Sequence, residues 1–318
     1  MTASSAPQSA SPHLAAVPAP FSLIPPERLW QIYAAMLRCR AIARRAAQLV
    51  DRGLPAHNLR DALGREAVYA GVLAGLQPAD ILFAMPEDTL AGFLHGLSLS
   101  DIFSPLAPVT ARRKNSQPPA APRTGALPFA PSAAAQLSLA SGAAFALKPQ
   151  AKNPLAVALC GLGFAPDHAW QQALEFAGAH TLPILFVCHA QARNAAGLTK
   201  IEARFGRLFA LAHSARVPAI AVDAHDAVAV YRVASESISR ARLRRGPTLI
   251  ACLAHPTPKA RGSSAAPGEP VDSAETLRGM EAYLTRKALF DPARKAQIVD
   301  AFARQLDRAT RGLLGKRT

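Results

Sequence analysis

The chain has 318 residues, of which half are apolar and 6% aromatic, and it carries a formal net charge of +15. That length and apolar content suit one substantial α/β core with peripheral helices, and no apolar run approaches the roughly twenty residues of a membrane span. The basic residues are dispersed (Arg38, Arg40, Arg44 and Arg45; Arg112 to Lys114; Arg240 to Arg245) and no aromatic residues interleave with them, so a solvated basic face or an acidic protein partner fits better than a nucleic-acid surface.

Residues 1–20 are rich in Ala, Ser and Pro and read as a disordered tail; they lack the basic start and apolar run of a signal peptide. Pro25-Pro26-Glu27 announces a helix whose apolar positions Leu29, Ile32, Tyr33, Met36 and Leu37 recur at helical spacing, to about Asp51. A second helix begins near Gly64-Arg65-Glu66-Ala67 and ends by Gly75; a turn and short strand follow over Gln77 to Phe83, then a helix from about Asp88 to His95. Residues 106–131 read as a mobile loop, and Ala134 to Leu147 as an alanine-rich helix suited to close packing.

Leu155 to Cys160 forms an apolar strand that runs into Gly161-Leu162-Gly163, and Phe164 to Asp167 leads into a helix. A second apolar strand, Pro183 to Cys188, ends on His189-Ala190-Gln191. Strand, glycine turn, helix and strand make a βαβ unit, whose ligand site lies at the carboxyl ends of the strands. Beyond it come a helix around Glu202 to His213, a strand over Pro218 to Val222, a long helix from Asp226 to Leu243 and a strand over Thr248 to Leu253. A loop at 256–270 precedes two basic helices, around Ala274 to Lys287 and Asp291 to Arg311, and residues 312–318 form a basic tail. No internal repeat is visible. The cysteines, Cys39, Cys160, Cys188 and Cys252, are far apart within apolar segments and show no CxxC spacing, so they fit reduced core thiols in a cytoplasmic protein.

The glycine turn and its flanks resemble the alpha subunit of the thiamine diphosphate-dependent 2-oxoacid dehydrogenase first component, of pyruvate and branched-chain type. Gly64-Arg65-Glu66-Ala67, Val222-Asp223-Ala224-His225-Asp226 and Gly246-Pro247-Thr248-Leu249-Ile250 match further family segments in order, and the resemblance covers roughly residues 22–311. It implies a thiamine-diphosphate-binding-type three-layer α/β/α sandwich with a mostly parallel sheet and helical extensions at both ends. It also implies the cofactors thiamine diphosphate and Mg2+, oxidative decarboxylation chemistry, and pairing with a beta-like subunit or as a homodimer.

The departures from the family fall on functional positions. Where the family reads Gly-Asp-Gly, Leu162 stands between Gly161 and Gly163; where it has Asn-Asn, this chain has Ala190-Gln191; and the third metal ligand, a backbone carbonyl, falls at Arg193. Magnesium wants oxygen ligands in octahedral geometry, and leucine offers none. Glu87 and Thr89 occupy the positions of a diphosphate-clamping arginine and a site histidine, and exchanging Arg for Glu turns attraction into repulsion. The family's histidine loop after the last strand has no counterpart near His255.

The expectation is therefore an alpha-subunit-like component with a degenerate cofactor site, no catalytic residues of its own, binding of Mg2+-thiamine diphosphate lost or weak, and a structural or regulatory role. The alternatives are an active subunit with replaced cofactor ligands, and a metal-free binding protein for a phosphorylated small molecule. In the last case Arg193 and His168 are the candidate anion contacts, at the start of the helix after the glycine turn. The plainer reading is that Asp167 caps that helix and His168 is half-exposed. Asp223, His225 and Asp226 resemble a triad fragment but are more simply a helix start, and a metal cluster of His168, His180 and His189 is not expected.

Overall fold

A computed structural model describes residues 24–106, 132–192, 194–255 and 273–313. The tail at 1–20, nearly all of the loop at 106–131, the loop at 256–270, most of the basic tail at 312–318, and Arg193 lie outside the described residues.

Eleven helices and five strands follow in the order α1 (Pro26–Val50), α2 (His57–Arg60), α3 (Glu66–Leu73), β1 (Ile81–Ala84), α4 (Thr89–Leu94), α5 (Leu99–Phe103), α6 (Ala133–Leu147), β2 (Ala156–Gly161), α7 (Asp167–Ala179), β3 (Ile184–Gln191), α8 (Ala195–Ser214), β4 (Ala219–Asp223), α9 (Ala227–Arg242), β5 (Thr248–Ala254), α10 (Ser273–Arg286) and α11 (Pro292–Thr310), counted among the described residues. A 3-10 turn, Pro86–Asp88, links β1 to α4. Two short helices, α2 and α5, were not expected: at four and five residues they carry too little periodicity to read from sequence. Helix α8 starts earlier than expected because the Asn194 side chain accepts a hydrogen bond from Gly197 N at 2.8 Å and caps it.

All strand pairs are parallel, in the order β1-β2-β3-β5-β4. Alternation along the strands sorts the core into two layers. Leu82, Val157, Leu159, Leu185, Val187, Ile250 and Cys252 pack with α1, α3, α9 and α11 through Ile42, Tyr69, Val230 and Leu306. Phe83, Ala158, Cys160, Phe186, Cys188 and Leu249 pack on the other face against α6, α7 and α8 through Leu137, Trp170 and Phe205. The result is the three-layer α/β/α sandwich. A third apolar cluster joins the start of α1 to α10 through Leu29, Trp30, Tyr33, Met280 and Leu284, so the basic C-terminal helices are docked on the core.

Helix α6 serves the sheet directly. Its buried Gln136 donates Nε2 to the carbonyls of Phe83 (3.1 Å) and Leu159 (2.6 Å), bridging the ends of β1 and β2. Helices α7 and α8 approach closely at Gly178, where an added Cβ would lie 2.1 Å from the Ala215 carbonyl oxygen. All four cysteines are free and buried, and burial pushes the Cys252 thiol up to about 12.

Two buried ion pairs hold elements together, one joining α1 to α3 and one joining α9 to the sheet. Glu66, fully buried, pairs with Arg40 of α1 at 2.6 Å and also accepts Gly64 N at 2.9 Å. Asp80, equally buried, accepts from both terminal nitrogens of Arg242 on α9 at 3.0 and 2.6 Å, and from the backbone N–H groups of Gln77 (2.7 Å) and Leu155 (3.1 Å). It joins the starts of β1 and β2 to the end of α9. Removing one partner of a buried pair strands the other charge, which costs about 3–5 kcal/mol. Asp80→Ala is expected to lower the unfolding free energy by about that amount, measured by urea denaturation with the slope of the transition unchanged.

Candidate functional site

The carboxyl ends of β2 and β3 meet in register, Gly161 beside His189, and both open into a cleft of about 710 Å³. Gly161, Leu162 and Gly163 form one side and His189, Ala190 and Gln191 the next, while α2 and its flank bring Arg60, Asp61, Leu63 and Arg65, and α8 brings Ile201 and Arg204. Leu162 is buried, belongs to the apolar layer beneath α6, α7 and α8, and donates its N–H to the His189 carbonyl at 2.9 Å. The turn closes by Phe164 N donating to the Gly161 carbonyl at 3.1 Å, and the Phe164 ring lies over Gly161, within 2.7 Å of where a Cβ would stand. Gly163 is more open: the nearest atom to its hypothetical Cβ is Arg204 Nη1 at 4.0 Å.

Behind the cleft wall lies a buried polar cluster that sequence reasoning missed. Asp88, at the end of the 3-10 turn, is fully buried, and its Oδ1 accepts from the Tyr69 hydroxyl at 2.6 Å and from Arg65 Nη1 at 3.4 Å. His189 Nε2 sits 3.0 Å from the same oxygen without hydrogen-bond alignment, and Asp88 Oδ2 has no hydrogen-bond partner. Burial alone would raise the Asp88 carboxyl, but the His189 imidazole, Arg65 and Tyr69 outweigh it and hold it below the ordinary carboxylate value. Burial and the adjacent Asp88 raise the Tyr69 phenol, so it stays a hydrogen-bond donor. Burial works against the Arg65 charge, yet Tyr69 and Asp88 more than restore it. Burial, then Asp88 and Glu87, push the Cys160 thiol up to about 12.

The residues singled out from sequence are distributed as follows. Gly161, Leu162, Gly163 and Gln191 line the cleft. Glu87 and Thr89 do not: the Glu87 carbonyl accepts from Arg65 at 3.3 Å, and the Thr89 hydroxyl donates back to the Pro86 carbonyl at 2.6 Å. His168 is exposed on α7 and also stands outside the lining, and Arg193 lies outside the described residues. Asp167 does not cap α7; Pro166 holds the cap position, and the Asp167 carboxylate sits in the first turn, paired with Arg207 at 3.2 Å. His180 closes α7, with its ring against Phe145 and Phe176. Asp226 caps α9 by accepting from Val228 N and Ala229 N, both at 2.9 Å, while Asp223 pairs with His225 Nδ1 at 3.4 Å, as a helix start requires. Arg65 is read from the sequence only as part of the Gly64-Arg65-Glu66-Ala67 helix start, and no local pattern joins Arg60 and Arg65 to Arg204, about 140 residues further on, so the convergence of the three is visible only in the structure.

The dehydrogenase E1 component family matches residues 33–255, more than half of the chain. The chain belongs to this family. The alpha subunit of acetoin:2,6-dichlorophenolindophenol oxidoreductase from Bacillus subtilis is 26% identical over 242 residues, covering 74% of this chain and 71% of that subunit. The pyruvate dehydrogenase E1 component subunit alpha of Staphylococcus aureus is 32% identical over 121 residues, 38% of this chain and 33% of its own length. Its Staphylococcus epidermidis counterpart is 28% identical over 233 residues, 72% of this chain and 60% of that one. This is therefore an alpha-type E1 member, although the match spans only about a third of the S. aureus relative's length. Among solved structures, a transketolase from Campylobacter jejuni matches with a TM-score of 0.47 and 17% identity, over 90% of this chain and 48% of that one.

Membership of the E1 family implies thiamine diphosphate, and the resemblance places its Mg2+ at Leu162, Gln191 and the Arg193 carbonyl. The described residues do not fit that ion. Leu162 and Ala190 carry no side-chain oxygen, Gln191 offers a single neutral amide, and the Arg204 guanidinium leans over Gly163 from the opposite wall. Among the described residues no group of three or more His, Cys, Asp or Glu is placed to hold a metal.

The depressed Asp88 carboxyl carries a pH signature. A group whose folded value lies below its unfolded value of about 3.9 stabilises fully above that value and loses its contribution as pH falls through the folded value. Chemical denaturation below about pH 4 is expected to show a decline in stability that is shallower in Asp88→Asn, with the variant already weaker at neutral pH.

Proposed function

We propose that this chain is an alpha-subunit-like component of a thiamine diphosphate-type 2-oxoacid dehydrogenase assembly that no longer binds Mg2+-thiamine diphosphate, and that its role is structural or regulatory. The observation that carries the reading is Leu162, buried in the glycine turn where a charged oxygen ligand would be needed, with Ala190 beside it in the adjoining strand. The retained scaffold supports descent from a cofactor-binding chain. The donor chemistry of the cleft supports loss of the metal, and no step of decarboxylation is assigned to its residues. Catalysis in such an assembly falls to other chains.

Calorimetric titration of the full chain with Mg2+ and thiamine diphosphate is expected to show no saturable binding in the micromolar range. Leu162→Asp alone is expected to leave the titration flat, because Ala190 and Arg204 remain. Saturable, Mg2+-dependent binding by the unmodified chain would falsify the reading.

Association with a beta-like subunit or a second copy is part of the same proposal. Its support is the family's subunit naming and the apolar residues that α6 and α7 leave at the surface, Leu139 (53% exposed), Phe145 (51%) and Phe176 (39%). Light scattering after size exclusion, with and without a co-expressed beta-like chain, is expected to give a mass above the monomer; a monomer at tens of micromolar in both samples contradicts it. We place the protein in the cytoplasm on the strength of its four free, buried cysteines; among the described residues no helix is long and apolar enough to cross a membrane.

A further inference from the structure

Arg204 is the feature of the cleft that loss of the metal leaves unexplained. It is half-buried on α8, and among the described residues it has neither a hydrogen bond nor an ion pair. The other two arginines of the cleft are engaged. Arg65 is held by Asp88 Oδ1 at 3.4 Å and the Glu87 carbonyl at 3.3 Å, and Arg60 pairs with Asp61 at 2.8 Å. Arg207, one turn further along α8, also has its carboxylate, Asp167. A guanidinium withdrawn partway from water without a counter-charge is unfavourable unless an anion completes it.

The geometry shows where that anion would sit. Arg204 Nη1 lies 4.0 Å from where a Cβ on Gly163 would stand, so the guanidinium is held beside the turn, whose backbone there carries no side chain to screen it. The Gly161 surface is closed by the Phe164 ring, which leaves the Gly163 side as the approach. Asp61 and the buried Asp88 offset Arg60 and Arg65, so the positive charge left to the lining is that of Arg204. At about 710 Å³ the cleft is larger than a bare phosphate needs and lies within the roughly 300–1,000 Å³ of small-molecule pockets. Leu63, Leu162, Phe164 and Ile201 supply apolar wall for an organic remainder.

We propose that this cleft binds the phosphate or diphosphate group of a small organic molecule without a metal ion, with Arg204 as its principal counter-charge. The inference rests on the reading that Mg2+-assisted cofactor binding is lost: the guanidinium takes the place of the cation, and a bidentate contact to phosphate oxygens takes the place of metal coordination. The site differs from an anion site at the start of α7, where Asp167 already supplies negative charge and His168 stands outside the cleft.

The test is calorimetric titration of the full chain with inorganic diphosphate in EDTA. Saturable binding is expected, unchanged when Mg2+ replaces EDTA and weakened by added salt. Arg204→Ala is expected to weaken it by about ten- to a hundred-fold, the range of a charge-assisted hydrogen bond, Arg204→Lys to recover part of the loss, and Arg207→Ala to leave it unchanged. Absence of saturable binding, or equal binding by Arg204→Ala with its fold intact by circular dichroism, overturns the proposal. A parallel titration with Mg2+ and thiamine diphosphate separates the two failures. Mg2+-dependent binding there overturns both the lost-cofactor reading and this inference, whereas silence in both titrations overturns the inference alone.

Discussion

Parallel pairing of five strands, with both faces of the sheet covered, is the constraint from which the rest of this molecule follows. Every strand of a parallel sheet delivers its carboxyl end to the same edge, and the connecting helices must lie above and below. Gly161 and His189 are therefore neighbours in register, and the glycine turn and the Ala190-Gln191 segment open side by side. The apolar residues of β2 and β3 alternate between the layer of α1, α3, α9 and α11 and the layer of α6, α7 and α8, so a slip of one residue would invert both cores at once. Asp80 with Arg242, and Gln136 between Phe83 and Leu159, satisfy polar groups where the sheet meets its helices.

At the cleft, one buried carboxylate organises the wall. Asp88 cannot be ionised in an apolar interior without donors and positive charge around it; Tyr69 and Arg65 at the start of α3 donate to it, and the His189 ring, from the end of β3, stands beside it. The cluster orients Arg65 and draws on its charge before any ligand is considered. This explains why three arginines at one cleft are unequal, and why the one on α8 is left with charge to offer.

The substitutions in the glycine turn act through the same physics. A carboxylate at position 162 would have to be solvated or metal-bound. Leucine instead turns into the apolar layer under α6, α7 and α8, and stabilises the turn by burial.

The strand–glycine turn–helix–strand unit, the order of the longer helices, the family and the missing side-chain oxygens at Leu162 and Ala190 could all be read from the sequence, because each depends on residues close together in the chain or on patterns of fixed spacing. Helix α8 began earlier than its apolar pattern suggested because a single side chain, Asn194, caps it. The placement of Glu87, Thr89 and His168 outside the cleft, the Asp88 cluster and the convergence of Arg60, Arg65 and Arg204 were decided only by tertiary structure. The reason is distance along the chain. Residues 60 to 204 become neighbours only when the sheet closes, and whether an arginine is engaged or available depends on which carboxylate packing brings beside it.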